Sequence, residues 1–213
     1  MRSRFLFFIT WIFLVSCDNA QILGPGTAEL LATAAQSDCG FVQNSFGQRV
    51  SWKSNIPITL KVDSNFSPDH VEILRRAALH WNEAAGKTLI RIIESDGRVP
   101  SKPAKDALNA VNWLREWPEN QSNTQGVTNL YWRHNQITEA DVSVNNKNFN
   151  FFTSSPQTPY DVHLESLLVH ELGHVLGLKH RSTVPSVMWA ALSSSVKRDS
   201  LSNADRETIK CEY

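Results

Sequence analysis

Two histidines one helical turn apart, followed by a glycine and a third histidine, constrain this chain more than any other feature. The stretch reads VHELGHVLGLKH over residues 169–180. On a helix, His170 and His174 lie on one face, with their imidazoles close enough to bind the same ion. Gly177 can adopt the left-handed conformation that ends a helix and reverses the chain, which would bring His180 back to that ion. The spacing therefore predicts one zinc ion with three histidine ligands.

The acid beside the first histidine indicates what such a zinc would do. Three neutral imidazoles leave zinc with an open position for water, whose pKa then falls to about 7. Glu171 can reach that water without entering the metal's own ligand shell, so it is the candidate general base. The competing interpretation is an ordinary buried helix without metal, because leucine and valine fill most of the remaining positions. All five fixed positions of H-E-x-x-H-x-x-G-x-x-H are present, which favours zinc.

Around this motif the sequence predicts alternating strands and helices in one domain. A helix is predicted from Ser67, which can cap it, to Gly86, which ends it. Runs rich in β-branched and aromatic residues predict five strands, near residues 58–62, 88–94, 109–114, 126–134 and 139–145. A chain of 213 residues is long enough for one substantial core.

The first residues predict export and a lipid anchor. Arg2 and Arg4 precede an apolar run, Phe5 to Val15, that is too short to span a bilayer and is typical of a signal peptide. The run ends in LVSC, which resembles the lipobox of bacterial lipoproteins. That resemblance implies cleavage before Cys17 and lipidation of this cysteine, in the bacterial cell envelope on the exported side of the inner or outer membrane. A plain signal peptide and an N-terminal anchor helix are the alternatives.

Charge and composition divide the chain further and exclude some partners. We expect a signal peptide over residues 1–16, a flexible tether over residues 17–38 and the folded domain over residues 39–213. The chain carries 21 basic and 21 acidic residues, and removing residues 1–16 takes away two arginines and no acid. This balance gives no basic face for nucleic acid, and membrane attachment would depend on the lipid. We expect a monomer.

The motif and the residues that follow it resemble the metzincin zinc peptidases, nearest to the matrixin branch. Met188, eight residues past His180, matches the methionine of the turn beneath the zinc in that family. The C-terminal LSNADRETIKCEY resembles the last matrixin helix. The resemblance implies an α+β metzincin fold: a twisted, mostly parallel five-stranded sheet with packed helices, an active-site helix and a small C-terminal subdomain ending in a helix. Met188 would pack below the metal without binding it.

The resemblance also implies a zinc-dependent endopeptidase acting on proteins or peptides. Substrate would pair with the edge strand of the sheet through backbone hydrogen bonds, and that strand corresponds to Val127, Thr128, Asn129, Leu130, Tyr131 and Trp132. Selectivity would come from a pocket beside the zinc, walled by residues 184–190, where Trp189 either lines the pocket or fills core. The alternatives are an inactive zinc-containing binding lipoprotein, or a narrow exopeptidase or self-processing metallopeptidase.

The sequence departs from the matrixin pattern in three places. Trp189 stands where a proline usually follows the turn methionine. Ala204 replaces an acid that, in matrixins, pairs with the newly freed N-terminus. The His/Asp-rich segment that holds a structural zinc and calcium in animal matrixins is not recognisable. We therefore expect one catalytic zinc, and these departures count against vertebrate-type regulation without changing the chemistry.

Two cysteines remain after Cys17, and three interpretations of them stay open. Cys39 and Cys211 lie near the start and end of the expected domain, and an exported domain is in an oxidising compartment, which favours a disulfide. Alternatively, CGFVQN around Cys39 loosely resembles the cysteine switch of matrixin propeptides, although the arginine and proline of that motif are missing. The third possibility is a pair of free thiols.

Overall fold

A mixed β-sheet with two helices packed on it forms the body of the domain. The computed structural model describes residues 14–16, 35–95, 99 and 102–213. The helices are α1 (Pro68–Ala85), α2 (Leu164–Val175) and α3 (Asn203–Glu212). The strands are β1 (Leu14–Ser16), β2 (Ile58–Val62), β3 (Ile90–Glu94), β4 (Ala110–Leu114), β5 (Gly126–Arg133), β6 (Gln136–Asn145), β7 (Phe151–Phe152) and β8 (Val162–His163).

The order of the main sheet confirms the predicted fold class and adds one strand. The order is β1-β5-β6-β4-β2-β3, in which only the β5–β6 pair is antiparallel. Five of these strands are those expected from the sequence. The sixth, β1, comes from the end of the apolar N-terminal run and pairs in parallel with residues 130–132 of β5. Residues 130–132 of β5 are therefore paired on both sides, and β5 is not the edge strand that the sequence predicts. Without β1 the outer side of β5 would be an edge, whose unpaired N–H and C=O groups can accept an added strand.

Helix α1 begins and ends where its capping residues predict. The Ser67 hydroxyl accepts a hydrogen bond from the His70 backbone N–H (3.2 Å), and Gly86 follows the last turn with φ of 65°. The apolar face of the helix is buried, and near its C-terminal end the Trp81 Nε1–H donates to the Val169 carbonyl of α2 (2.9 Å). Burying an indole with its N–H satisfied avoids the cost of an unpaired donor. This contact fixes α2, which carries the motif, against α1.

The start and the end of the domain are joined beside the turn that follows α2. Cys39 and Cys211 form a disulfide bond with their Cα atoms 6.4 Å apart. Glu212 also pairs with Arg49 and Lys53, with N–O distances of 2.6 Å for both. Of the three interpretations of these cysteines, the structure contains the disulfide. The last helix is thereby held next to the first residues of the domain.

The N-terminal predictions fall mostly on residues 1–13 and 17–34, which lie outside the described part of the chain. Cys17 is among them, so its lipidation, the signal peptide and the tether remain predictions. Within the last residues assigned to the tether, Asp38 pairs with Lys179 (2.7 Å) and the Gln36 N–H donates to the Gly47 carbonyl (2.9 Å). Contacts with the domain therefore begin at least by Gln36. None of the helices in the described ranges is long and apolar enough to cross a membrane.

Candidate metal centre

Helix α2 and the turn after it bring the three motif histidines together. His170 and His174 lie one turn apart on α2, and both are completely buried. Gly177 has φ of 97°, and a Cβ atom on it would overlap the Val50 carbonyl oxygen, so glycine is required there for two reasons. The reversal places the His180 ring beside the other two. The Nε2 atom of His174 lies 3.1 Å from the Nε2 atoms of both His170 and His180.

The hydrogen bonds of these rings fix which nitrogens face each other. His170 Nδ1 lies 2.8 Å from the Val187 carbonyl, and His174 Nδ1 lies 2.7 Å from the Leu178 carbonyl. A carbonyl only accepts, so each Nδ1 must carry the proton and each Nε2 must present a lone pair. Lone pairs repel unless a cation lies between them. The geometry of the donor set therefore fits a metal ion bound by the three Nε2 atoms, and orientation of a ligand histidine through its other nitrogen is usual.

Burial keeps these imidazoles in the form that binds metal. Desolvation lowers the pKa of His174 to about 3, and the nearby His180 lowers it further. The pKa of His170 lies well below its usual value, again mainly because of burial. Burial also lowers the pKa of His180, with a smaller contribution from the charge of Arg198. All three rings are consequently neutral at pH 7, as zinc ligands must be.

The carboxylate of Glu171 is held by strand β5. The Thr128 hydroxyl donates a hydrogen bond to Glu171 Oε2 (2.7 Å), and Glu171 is completely buried. Gly126, on the same face of β5, leaves room for the other oxygen, because a Cβ atom there would lie 2.8 Å from Oε1. The sequence alone predicts for Thr128 only backbone pairing with substrate. The small residues at positions 126 and 128, which share one strand face, were the signal that this face meets α2.

Met188 lies beneath the site, and the last helix fixes the turn that carries it. Met188 is completely buried, and a Cβ atom on Gly173 of α2 would overlap its sulfur, so the two pack in direct contact. The Asp205 carboxylate of α3 accepts hydrogen bonds from the Val187 N–H (3.2 Å) and from the Ser186 hydroxyl. The Val187 carbonyl in turn accepts the proton of His170 Nδ1. A chain of contacts thus runs from Asp205 through the turn to a predicted metal ligand.

A cavity of about 530 Å³ opens next to His180. It is lined by His180, Arg181, Ser182, Trp189, Ala190, Ala191, Leu192, Ser193, Val196 and Arg198. Trp189 is 42% exposed and its indole N–H donates to the Val184 carbonyl (2.6 Å), so this side chain lines the cavity and does not fill core. A cavity thus lies beside His180, and of the predicted wall over residues 184–190 it is lined by Trp189 and Ala190. The sequence does not indicate that Arg198 belongs to it.

A second group with the spacing of metal ligands exists, formed by His163, Glu165 and Asp199. In that group, Glu165 is already engaged by Arg76 (2.7 Å) and His80 (3.2 Å). A metal ion there would compete with the arginine for the same carboxylate. The motif histidines are therefore the better candidate of the two groups for a metal site.

Comparison with known proteins adds the last observation. The family model described as Matrixin matches residues 102–213, which is more than half of the chain. Two proteins of Arabidopsis thaliana, Metalloendoproteinase 2-MMP and Metalloendoproteinase 5-MMP, are each 42% identical to this chain over 52 residues. That stretch is 24% of this chain and 14% of each plant protein. The region matched by the family model, residues 102–213, contains β5, the motif helix and the cavity beside His180.

Proposed function

Because the chain belongs to the matrixin family, we propose that it is a zinc-dependent endopeptidase that hydrolyses peptide bonds with Glu171 as general base. The observation that carries the proposal is the convergence of three histidine rings: the Nε2 atom of His174 lies 3.1 Å from the Nε2 atoms of both His170 and His180. A zinc ion bound by three imidazole nitrogens fits this arrangement.

His170, His174 and His180 would hold the metal. When bound, zinc would act as a Lewis acid that lowers the pKa of water and polarises the substrate carbonyl. Glu171 accepts a proton from the attacking water on a carboxylate oxygen and passes it to the nitrogen of the leaving amine. The hydrogen bond from Thr128 fixes Oε2 and so orients the carboxylate (2.7 Å). Thr128 acts here as a positioning residue.

Strand β5 is the proposed support for an extended substrate. Its inner side pairs with β6, and residues 130–132 pair on the outer side with β1. In the proposed mature chain, residues 1–16 are removed, which leaves this outer side available to substrate. Main-chain pairing of that kind contributes affinity without choosing a sequence. Selectivity for particular substrate side chains would then depend on the cavity beside His180.

The test is hydrolysis of a mixed peptide library by the purified mature protein. We expect internal cleavage that stops when a chelator removes the metal and returns when zinc is added, because the three neutral imidazoles are the metal's only protein ligands in the proposal. Mass spectrometry of the products reads the cleavage positions. Cleavage that continues at the original rate after the metal has been removed would rule out the proposed mechanism.

The same experiment separates an endopeptidase from two of the alternative functions, the inactive binding lipoprotein and the exopeptidase. A zinc-containing binding protein without turnover would retain the metal and leave the library intact. An exopeptidase would shorten peptides from one end, and product masses would differ by single residues or dipeptides. The Glu171 carboxylate, held by Thr128 and next to His170 in the chain, favours turnover, because a purely structural metal would not need a base.

We further propose that the chain is a bacterial lipoprotein, anchored through Cys17 to the cell envelope and facing the exported side. The domain over residues 39–213 would then act as a monomer near the membrane. Support comes from the apolar run and the LVSC sequence at residues 14–17. Replacing Cys17 with serine should abolish incorporation of labelled fatty acid and leave a precursor or a soluble form. Equal labelling of both proteins would contradict the lipid anchor.

A further inference from the structure

The cavity beside His180 has a chemical character that the proposed peptidase function does not explain. One wall is apolar, formed by the exposed faces of Trp189 and Val196 and by Leu192. His180, a predicted metal ligand, lies at one side of the same cavity. Anything bound in this space is therefore adjacent to the bond that the metal would activate.

The charged groups that line the cavity are all cationic. Arg181 and Arg198 contribute two guanidinium groups, and none of the ten lining residues is acidic. Arg181 is partly engaged elsewhere, since its Nη1 atom donates to the Thr208 hydroxyl (2.6 Å) on α3. Arg198 has no carboxylate within ion-pair distance in the described ranges. The net charge of the lining is consequently positive.

The guanidinium of Arg198 is held in place by main-chain groups alone. Its Nη1 atom donates to the Ala191 carbonyl (2.8 Å), and its Nη2 atom donates to the Trp189 carbonyl (2.9 Å). Its Nε atom is buried and has no hydrogen-bond partner. Nη1 and Nη2 each carry two hydrogens, so each has one N–H left after donating to these carbonyls. Burial lowers the pKa of Arg198 to about 10, so the group remains charged at pH 7.

The two acids nearest to Arg198 do not neutralise it by contact. Asp199 follows it in the chain but lies 4.0 Å from His163 Nδ1. Asp205 acts on Arg198 only through space, because its carboxylate already binds the Ser202 hydroxyl and backbone N–H (2.8 and 2.9 Å) and the Val187 N–H. A partly buried cation without a contacting anion is costly to maintain. An anion that enters the cavity would compensate that cost.

From these contacts we infer that the cavity beside His180 binds a carboxylate of the peptide substrate, with Arg198 as the specificity-determining cation. A carboxylate matches the planar guanidinium fork, and the apolar wall suits the methylene groups that carry an acidic side chain. The inference rests on the proposed peptidase function and names the substrate class of that site. Peptides with an acidic residue next to the cleaved bond are the expected substrates.

A substrate can present this carboxylate from two sources. It is either the side chain of Glu or Asp beside the cleaved bond, or the free carboxylate at the end of a peptide cut close to its C-terminus. The first source gives an endopeptidase with acidic selectivity, and the second gives a peptidase that removes C-terminal residues. Matched peptides separate them: one pair differs by Glu and Gln at the position next to the cleaved bond, and another differs by a C-terminal acid and amide.

The experiment measures kcat/KM of the zinc-loaded mature protein for both pairs. We expect the peptide with the carboxylate to exceed its neutral partner by about tenfold or more in one of the two pairs, as a charged hydrogen bond in a partly buried site predicts. In Arg198→Met, that ratio should fall to about one, while the neutral peptide is still cleaved. Arg198→Lys should retain part of the preference. Arg206→Met, at an exposed position of α3, is the matched control and should keep the wild-type ratio.

Equal cleavage of both members of both pairs by the wild-type protein would overturn the inference, even if Arg198→Met does not fold. Persistence of the full preference in a folded Arg198→Met protein would overturn the role of Arg198. A binding measurement distinguishes failure of the carboxylate inference from failure of the proposed peptidase function. Titration calorimetry on zinc-loaded Glu171→Gln protein should show the same preference for the carboxylate peptide without turnover. A wild-type protein that binds with this preference and cleaves nothing would contradict the peptidase proposal alone.

Discussion

Replacing Glu171 with glutamine is expected to lower the rate of peptide hydrolysis by about 10²–10⁴-fold, the usual contribution of a general base. Glutamine has nearly the same shape and retains a carbonyl oxygen that can accept the Thr128 hydroxyl (2.7 Å in the wild type). It cannot accept a proton from water. Zinc content should stay at about one ion per chain, because the three imidazoles hold the metal without this side chain. The loss should appear in kcat with little change in KM.

The control for this variant is Glu207→Gln, an acid of the same type at an exposed position of α3. It removes one negative charge without touching the candidate site, and we expect wild-type kinetics. Metal analysis and a thermal melt of each variant check that the site and the fold remain. A Glu171→Gln protein that contains zinc and cleaves at the wild-type rate would show that another group, or the metal-bound water alone, does the work assigned to Glu171.

Local sequence signals were sufficient for much of the fold and for the convergence of the three motif histidines. Helix α1 is capped by Ser67 and Gly86, and both residues bond backbone groups that lie only a few residues away in the chain. The convergence of His170, His174 and His180 follows the same logic, because a helical turn and one chain reversal determine it. These features depend on short stretches of chain, which a single sequence specifies.

Contacts between elements that are far apart in the sequence could not be predicted from such local signals. Thr128 and Glu171 are 43 residues apart, and their hydrogen bond depends on the register with which β5 crosses α2. Arg198 lines the cavity together with His180 because its guanidinium bonds the Trp189 and Ala191 carbonyls. No periodicity in that loop predicts this position of Arg198. The strand β1 was also unforeseen, since pairing of residues 14–16 with the outer side of β5 competes with their expected place in a signal peptide. Tertiary packing determines each of these.

Replacing His174 with alanine is expected to remove zinc from the protein and abolish hydrolysis. His174 is the central ring: its Nε2 atom lies 3.1 Å from the Nε2 atoms of both other histidines. Loss of a hydrogen bond outside the ligand shell already costs about 10–100-fold in metal affinity, so loss of a ligand should cost more. Zinc content measured after dialysis should fall from about one ion per chain to almost none. The stabilisation that zinc gives to the wild-type protein in thermal melts should disappear with it.

Two further variants decide whether that metal loss is specific. His134→Asn changes an exposed histidine with φ of 57°, a conformation that asparagine tolerates, and should retain zinc and activity. His163→Asn alters the second group with metal-ligand spacing, whose Glu165 is engaged by Arg76 and His80. It should also retain zinc. Zinc that persists in His174→Ala and is lost in His163→Asn would move the metal to that second group. Because Glu171 lies beside His170 and not beside His163, such a result would also remove the reason for assigning it as the base.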